Sequence, residues 1–341
     1  MIETLSKKEA QLKMNEYGKL GIPFLFVIDF DFNRPIVIPL DQIDDSFLRW
    51  SFHEKTGLQN PPVIKPGNIR IDPVGFDTYG KAFDLVQQNI QSGNTYLTNL
   101  TFPTYLNIPW SLEDVFQMTS AKYKLWLKGQ FVVFSPEPFV KIANGKIASF
   151  PMKGTIDASI PGAKEILEAD LKEKAEHATI VDLLRNDLNL VAERVGVERY
   201  RYFEKVATGN GALYQTSSHI EGTLPNDYAS KLGDIFIKLL PAGSVTGAPK
   251  AKTVEIINEA EPFERGYYTG VFGIFDGKKL ESAVSIRFIE QQNDQLVYKS
   301  GGGITTFSNV ESEYRELIDK VYLPIPKILS YEQEFVTAGN H

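Results

Sequence analysis

The chain has 341 residues, of which 43% are hydrophobic and 12% aromatic, so it can bury a core in one large domain or two closely packed halves. A net charge of −7 disfavours nucleic-acid binding, because contact with many phosphates requires a concentrated positive field. The absence of cysteine excludes thiolate nucleophiles, disulfides and cysteine-ligated metals. A polar N-terminal segment, and no run of about 18 apolar residues, predict a cytoplasmic protein without a membrane span.

Strands dominate the first part of the sequence. The run FLFVIDFDFNRPIVIPL at 24–40 predicts a hairpin with Asp and Asn in its turn. Residues 60–75 contain four prolines, which predicts an irregular connector. We therefore expect a strand-rich N-terminal part over 1–75, a main domain over 76–330 and a tail over 331–341.

Helices and strands alternate irregularly after this connector. Apolar residues at helical spacing predict a helix over 77–92, in which Tyr79, Phe83, Val86 and Ile90 share one face. Strands are predicted at 95–102, at 131–135 and over 141–150, where Asn144-Gly145 forms a hairpin turn. Further predictions are a helix over 163–188, a helix after Pro249, strands near 268–275, 280–289 and 295–299, and a helix over 311–321. This mixed order favours an α+β fold.

Four glutamates form two pairs with helical spacing. Glu173 and Glu176 lie three residues apart in one predicted helix, and Glu313 and Glu316 lie three apart in the last one. Residues at i and i+3 share a helix face, so each pair can point in one direction. Two such faces brought together would form an oxygen-only site that suits Mg²⁺. The same spacing fits solvated surface glutamates, which are the commoner case.

Backbone N–H donors are concentrated in two glycine-containing segments. SGGGIT at 300–305 follows a predicted strand and lets the backbone approach an anion. PAGSVTGAPK at 241–250 places Pro249 at the expected first residue of a helix. Ser244, Thr246 and the free N–H groups of this helix would face an anion, and Lys250 would add positive charge. A carboxylate-bearing ligand fits both segments, and a pair of tight turns is the alternative.

One lysine has the setting of a candidate nucleophile. PMKGT at 151–155 places Lys153 in a constrained turn after a strand, and Glu137 in SPEPF lies at the end of the preceding strand. An amine must be uncharged to attack, and a neighbouring carboxyl group makes a workable acid–nucleophile pair. A solvated lysine at a loop tip is the alternative. No nucleotide-binding or serine-hydrolase motif occurs in the sequence.

These segments together resemble one enzyme family. Between Tyr79 and Lys320 the chain contains, in the family's order, SPEPF, PMKGT, LKEKAEHATIVDLLRNDL, SHIEGTL, PAGSVTGAPK, RGYYTG, SIRF, SGGGIT and SNVESEYREL. They resemble the chorismate-binding family, which includes anthranilate, isochorismate and salicylate synthases and aminodeoxychorismate synthase component I. The resemblance implies an α+β fold of the anthranilate synthase component I type, with two large, mainly antiparallel sheets and flanking helices. It also implies that residues 76–330 form a catalytic domain that binds Mg²⁺ and chorismate.

The resemblance assigns roles to individual positions. Glu176 and Glu316 match the metal ligands, and Glu173 and Glu313 match residues that support the water shell of the metal. His219 matches an active-site histidine, for which a structural hydrogen-bonding role is the alternative. The substrate-binding positions, with Lys250 added for its charge, are Gly154, Thr155, Tyr268, Arg287, Gly301, Gly302 and Gly303.

Two positions favour one member of the family. PMKGT resembles the PIKGT of aminodeoxychorismate synthases, whereas members that make anthranilate or isochorismate carry a small residue where this chain has Lys153. Leu97 occupies the position where isochorismate and salicylate synthases carry a lysine base. The resemblance therefore implies conversion of chorismate and ammonia to 4-amino-4-deoxychorismate, in p-aminobenzoate and folate biosynthesis, with Lys153 as nucleophile and Glu137 as acid.

The remaining expectations concern partners and competing functions. Because the chain lacks cysteine for amide hydrolysis, we expect its ammonia to come from a separate glutaminase subunit. Neither a nucleic acid nor a membrane is an expected partner. The alternatives are an anthranilate synthase component I and a non-catalytic chorismate-binding subunit.

Overall fold

Strands and helices of the chain group into two units, each built on one large sheet. The computed structural model describes residues 2–53, 68–208, 211–325 and 333–335. In chain order the strands are β1 (Phe24–Ile28), β2 (Ile36–Pro39), β3 (Leu48–Phe52), β4 (Ile69–Pro73), β5 (Leu97–Asn107), β6 (Tyr123–Leu127), β7 (Phe131–Ser135), β8 (Pro138–Ala143), β9 (Lys146–Ser149), β10 (Met152–Asp157), β11 (Glu193–Thr208), β12 (Gly211–Thr223), β13 (Gly247–Ala248), β14 (Val271–Phe275), β15 (Leu280–Val284), β16 (Phe288–Gln292), β17 (Gln295–Ile304) and β18 (Gln333–Phe335). The helices are α1 (Lys7–Leu20), α2 (Phe76–Gln91), α3 (Leu112–Met118), α4 (Ala163–Ala169), α5 (Leu171–Asn189), α6 (Leu232–Leu239), α7 (Lys250–Ala260) and α8 (Val310–Asp319).

The first unit comprises Met1–Ile43, Glu137–Ser244 and Thr269–Val284. Over its described residues, nine antiparallel strands are ordered β10-β12-β9-β8-β15-β14-β1-β2, with β11 beside β12. Strand β1, between β14 and the terminal strand β2, is buried along its whole length, as its continuous apolar sequence FLFVI predicts. Helix α5 contacts β10, β11 and β12, so this end of the sheet holds the helix that carries Glu173 and Glu176.

The second unit comprises Asp44–Pro136, Val245–Tyr268 and Ser285–His341. Its described strands are ordered β18-β4-β5-β17-β16-β7-β6-β3, with β13 beside β5, and all pairs are antiparallel except β18 with β4. The predicted apolar face of α2 is buried in a cluster that also contains Leu100 of β5, Ile304 of β17 and Leu317 of α8. This packing places the helix that carries Glu313 and Glu316 against β17.

Several sequence-based predictions are confirmed. The fold is α+β, and residues 24–40 form the antiparallel hairpin of β1 and β2. Strands β8 and β9 are joined at Asn144-Gly145, where both residues have positive φ, 53° and 74°. This is the backbone geometry that makes Asn-Gly the favoured two-residue hairpin turn.

Three predicted elements differ from the structure. The helix over 163–188 is broken at Asp170, because its side chain caps α5 by accepting a hydrogen bond from the Glu173 N–H. The strand over 280–289 is split into β15 and β16, which belong to different sheets, and Arg287 between them has φ of 54°. The predicted connector over 60–75 lies outside the described residues at 60–67, and its described part contains β4.

The predicted partition at residue 75, and the tail over 331–341, stay predictions. Of the tail, the structure describes residues 333–335 only. Within the described ranges, no helix is both long and apolar enough to cross a membrane.

Candidate active site

Lys153 lies in a β-bulge of the first unit. The pairing of β10 with β12 shifts register between Lys153 and Thr155, and the intervening Gly154 has φ of 72°. This positive φ favours glycine, and a Cβ there would also lie 2.9 Å from Leu167 Cδ1, so that side chain would have to move. The predicted tight turn is therefore wrong, because PMKGT continues as a bulged strand rather than reversing the chain.

The Lys153 side chain is directed toward α5. Its Nζ donates a hydrogen bond to Glu176 Oε2 at 2.7 Å, with 30% and 16% of the two side chains exposed. The Thr216 hydroxyl donates to the Lys153 carbonyl oxygen and ties the bulge to β12. The fold thus places an amine and a carboxylate together in a partly exposed position of the first unit.

Glu173 and Glu176 share one face of α5, as their spacing predicts. Glu173 Oε2 lies 3.1 Å from the position that a Gly154 Cβ would take, so the bulge and the first turn of α5 meet at this carboxylate. The next residue, His177, is fully buried, and its Nε2 lies 2.6 Å from Ser218 Oγ. Burial, aided by the Arg201 and Lys153 cations, lowers the pKa of His177 to about 4, so this imidazole is neutral near pH 7.

Glu137 lies between β7 and β8 and is half-buried. Its carbonyl oxygen accepts a hydrogen bond from the Val284 N–H at 3.1 Å, which fixes its backbone to β15. Its Oε1 accepts a hydrogen bond from Ser244 Oγ at 2.7 Å. The carboxyl group is therefore oriented by a hydroxyl 107 residues further along the chain.

His219 lies on β12 and contacts Phe150 and Glu221. Its ring stacks on Phe150, with 4.8 Å between ring centroids, and Nε2 lies 3.7 Å from Glu221 Oε2. A quarter of its side chain is exposed. Both the catalytic assignment and the structural alternative remain predictions with this geometry.

The three glycines of SGGGIT lie within β17 of the second unit, not in a loop after a strand. Gly301, Gly302 and Gly303 pair with Thr101, Leu100 and Asn99 of β5. A Cβ at Gly302 would lie 3.4 Å from Glu313 Oε2 and 3.5 Å from Glu316 Oε1. The missing side chain leaves room beside both carboxylates of α8.

Arg287 and Tyr268 are held in the second unit by buried contacts. Arg287 Nη1 donates to the Lys320 carbonyl oxygen at 3.0 Å, and the guanidinium lies 4.8 Å from the centre of the Tyr322 ring. Tyr268 is 4% exposed, and burial raises the pKa of its hydroxyl group, which is therefore a neutral donor near pH 7. The roles of Arg287 and Tyr268 toward substrate stay predictions.

Part of the segment PAGSVTGAPK forms the short strand β13, whose backbone pairs with β5. Strand β13 pairs with Leu97 and Thr98 of β5, and Pro249 is the N-cap residue of α7, which begins at the half-buried Lys250. Pro249 is therefore outside the helix, one position earlier than predicted.

Each glutamate pair taken by itself suits Mg²⁺ in chemistry, because both offer carboxylate oxygens beside a glycine that leaves space. Among the residues that the structure describes, no three His, Cys, Asp or Glu side chains are grouped as a metal site. The four-carboxylate site therefore stays a prediction.

Residues 51–326 match the family model described as chorismate binding enzyme. The chain belongs to this family. A protein of Pasteurella multocida named uncharacterized PabA-like protein is 51% identical over 314 residues, which cover 91% of this chain and 97% of that protein. The aminodeoxychorismate synthase component 1 of Escherichia coli K12 is 33% identical over 260 residues, which cover 72% of this chain and 56% of that protein.

Solved structures of chorismate-family enzymes share the fold. MenF, the menaquinone-specific isochorismate synthase of Escherichia coli, matches with a TM-score of 0.71 at 17% identity, over 92% of this chain and 81% of that chain. Anthranilate synthase component I of Streptococcus pneumoniae matches with a TM-score of 0.62 at 24% identity, over 75% of this chain and 59% of that chain. The predicted anthranilate synthase component I-like fold is confirmed.

Sequence reasoning missed Lys320, which touches the candidate site. Lys320 Nζ donates to Glu316 Oε1 and to the Gly301 carbonyl oxygen, both at 2.7 Å. Its spacing of four residues from Glu316 was a usable signal, since such pairs meet on a helix. Ser244 was predicted to face an anion, but its contact with Glu137 had no signal in the sequence, because that contact depends on the tertiary fold.

Proposed function

We propose that this member of the chorismate-binding family is an aminodeoxychorismate synthase component I, which replaces the C4 hydroxyl of chorismate with an amino group. The observation that carries the proposal is the Lys153 amine, fixed in a glycine bulge and hydrogen-bonded to Glu176 at 2.7 Å. A nucleophile needs a fixed position from which it can reach the reacting carbon. A solvated lysine at a loop tip would have no such position.

The reaction proceeds in two displacements. The partly exposed Lys153 first loses its ammonium proton to water. Glu137 then donates its proton to the C4 hydroxyl, which leaves as water, while the uncharged Lys153 amine bonds to C2 and the ring double bond shifts. Ammonia then bonds to C4, the double bond shifts back, and the C2–nitrogen bond breaks to release Lys153. The Glu137 carboxylate takes the proton that the new amino group loses. Covalent catalysis thus divides one difficult substitution into two easier ones.

Substrate carboxylates are the expected partners of the remaining residues. Arg287 is suited to a bidentate hydrogen bond, the N–H groups near Gly301 to Gly303 can approach an anion, and Lys250 adds positive charge. The other proposed substrate-binding residues are Gly154, Thr155 and Tyr268. His219 is proposed as a catalytic residue together with Lys153 and Glu137. Glu176 and Glu316 would hold Mg²⁺, with Glu173 and Glu313 supporting its waters. When bound, the metal would orient the ring carboxylate and draw electron density toward it.

The choice of ammonia over water as the incoming group is supported by Leu97. Its side chain is 6% exposed, and Leu97 Cδ1 lies 3.0 Å from the position of a Gly303 Cβ. A leucine cannot remove a proton from water, so this position offers no base for a water-adding reaction. A separate glutaminase subunit would supply the ammonia, since the chain has no cysteine.

The test is incubation of the purified protein with chorismate, Mg²⁺ and an ammonium salt, with products followed by chromatography and mass spectrometry. We expect 4-amino-4-deoxychorismate, which requires both ammonium and Mg²⁺. A parallel reaction with a glutaminase subunit and glutamine tests the ammonia source.

Other products identify the competing functions. Anthranilate would identify an anthranilate synthase component I, and isochorismate would show that water is the incoming group. Chorismate binding without consumption would favour a non-catalytic subunit. Each of these three outcomes contradicts the proposal.

A further inference from the structure

The hydrogen bond between Ser244 and Glu137 joins two segments of the first unit that are far apart in sequence. Ser244 follows α6 in a 3₁₀ turn, Gly243–Val245, and Glu137 lies directly before β8. The donor–acceptor distance is 2.7 Å, a normal length for a hydroxyl–carboxylate bond. Both side chains belong to half-buried residues, so water competes only partly for the bond.

The turn that carries Ser244 is itself fixed by packing. A Cβ at Gly243 would lie 2.7 Å from Asp187 Oδ2 and 3.2 Å from Leu183 Cδ2, so the backbone of the turn rests directly on α5. The preceding Ala242 is fully buried. A hydroxyl on such a turn has a restricted position, unlike one on an exposed loop.

A carboxylic acid has two chemically different oxygens. Its carbonyl oxygen accepts hydrogen bonds, and its hydroxyl oxygen carries the transferable proton. Because Ser244 Oγ donates to Oε1, it marks Oε1 as the accepting oxygen and leaves the proton on Oε2. The same hydrogen bond restricts rotation of the carboxyl group, so the Oε2 proton keeps one direction.

We propose that Ser244 is a positioning residue that holds the Glu137 carboxyl group with Oε2 as the proton-donating oxygen. The inference rests on the proposed function, in which Glu137 protonates the leaving hydroxyl. Ser244 acts through Glu137, so it changes the rate of proton transfer rather than the binding of chorismate. A general acid typically contributes about 10²–10⁴-fold to a rate, and misalignment forfeits part of that factor.

The experiment compares Ser244→Ala with Ser244→Thr, which keeps the hydroxyl group. We expect Ser244→Ala to lower kcat for aminodeoxychorismate formation about 10–100-fold, with KM for chorismate changed less than about threefold. Ser244→Thr should recover most of that loss. Ser230→Ala, whose hydroxyl bonds the Asp227 carbonyl oxygen at the surface, is the matched control and should keep the wild-type kcat.

A double mutant separates positioning from a general structural effect. In a Glu137→Gln background, Ser244→Ala should cause almost no further loss of kcat, because the acid that it positions is already absent. Losses that multiply, a loss confined to KM, or a Ser244→Ala variant with wild-type kcat would each overturn the inference.

Crystal structures of the wild type and of Ser244→Ala add an arm that does not depend on the reaction. We expect one orientation of the Glu137 carboxyl group in the wild type, and rotation or several orientations in the variant. An unchanged Glu137 in Ser244→Ala would overturn the positioning role whatever the enzyme makes. Failure of the proposed function would instead appear as a wild type that forms no aminodeoxychorismate.

Discussion

Two acid–cation pairs, one in each unit, show how the same chemistry serves different purposes. Glu261 and Arg265 of the second unit are joined by hydrogen bonds of 2.6 and 2.8 Å, with side chains 1% and 2% exposed. Lys153 Nζ of the first unit donates a hydrogen bond to Glu176 Oε2, with side chains 30% and 16% exposed. The first pair is shielded from water, whereas the second remains accessible to it.

The buried pair is surrounded by further backbone partners. Arg265 also donates to the carbonyl oxygens of Val245 and Asn99, and Glu261 accepts from the N–H and hydroxyl groups of Thr101. These bonds join the segment before β13 to β5, whose Asn99 and Thr101 pair with the glycines of β17. Because their hydrogen bonds are made within the unit, we assign this pair to the scaffold. The Lys153–Glu176 pair is accessible to water, so each side chain can also contact a bound ligand.

The largest expected effect is on the buried pair. Glu261→Ala should lower the free energy of unfolding by about 3–5 kcal/mol, because it leaves the Arg265 charge buried without its carboxylate. Urea denaturation measures the change. The control is Glu255→Ala, which removes an exposed pair with Lys252 and should cost less than about 0.5 kcal/mol. Equal costs for the two variants would contradict the scaffold assignment.

The accessible pair should show the opposite pattern, with a large loss of activity and little loss of stability. Lys153→Ala should lower the rate of aminodeoxychorismate formation at least about 100-fold and unfolding free energy by less than about 1 kcal/mol. Lys153→Arg keeps a cation near Glu176 but cannot act as a nucleophile at neutral pH, so it should be equally inactive. An active Lys153→Arg would show that only the charge matters.

Substitution of Glu176 and Glu316 tests whether the carboxylate of the accessible pair also binds a metal ion. We expect Glu176→Gln and Glu316→Gln each to weaken Mn²⁺ binding, measured by electron paramagnetic resonance, about 10-fold or more, because each removes a charged oxygen ligand. Glu168→Gln on the exposed side of α4 is the control and should bind as the wild type does. Unchanged binding in both variants would contradict the proposed metal ligands.

The smallest effect concerns the buried His177. Its pKa is about 4 in the folded chain, against 6.5 as its ordinary value, because burial disfavours the charged form. As the pH falls, His177 therefore takes up a proton in the unfolded chain before it does so in the folded chain. The contribution of neutral His177 to the free energy of unfolding is fully present above pH 6.5 and is lost as the pH falls toward 4. Between pH 7 and pH 5.5 the metal-free wild type should lose about 1 kcal/mol more unfolding free energy than His177→Gln. Parallel pH dependence in the two proteins would contradict this.

Local sequence patterns predicted much of the fold. The predicted apolar face of α2 is buried and consists of Tyr79, Phe83, Val86 and Ile90. Asn144-Gly145 forms the predicted hairpin turn between β8 and β9. Both predictions rest on interactions within a few residues. The break at Asp170 was readable as an N-cap, but the prediction of one helix over 163–188 used only the apolar spacing.

The long hairpin of β11 and β12 was not predicted, because β11 has many charged residues and shows no clean alternation of apolar and polar side chains. It pairs with β12 alone among the described strands, so it lies at an edge of its sheet. An edge strand needs little apolar surface, which removes the periodic signal on which prediction depends.

By itself the sequence determined the α+β class, most helices and strands, and the ordered motifs that identify the chorismate-binding family. Only the tertiary structure decided that Lys153 meets Glu176, 23 residues away, and that Ser244 meets Glu137, 107 residues away. It also decided that residues 280–289 divide between two sheets. Helical periodicity and turn chemistry act over a few residues, whereas these contacts depend on strand register and on packing between distant segments.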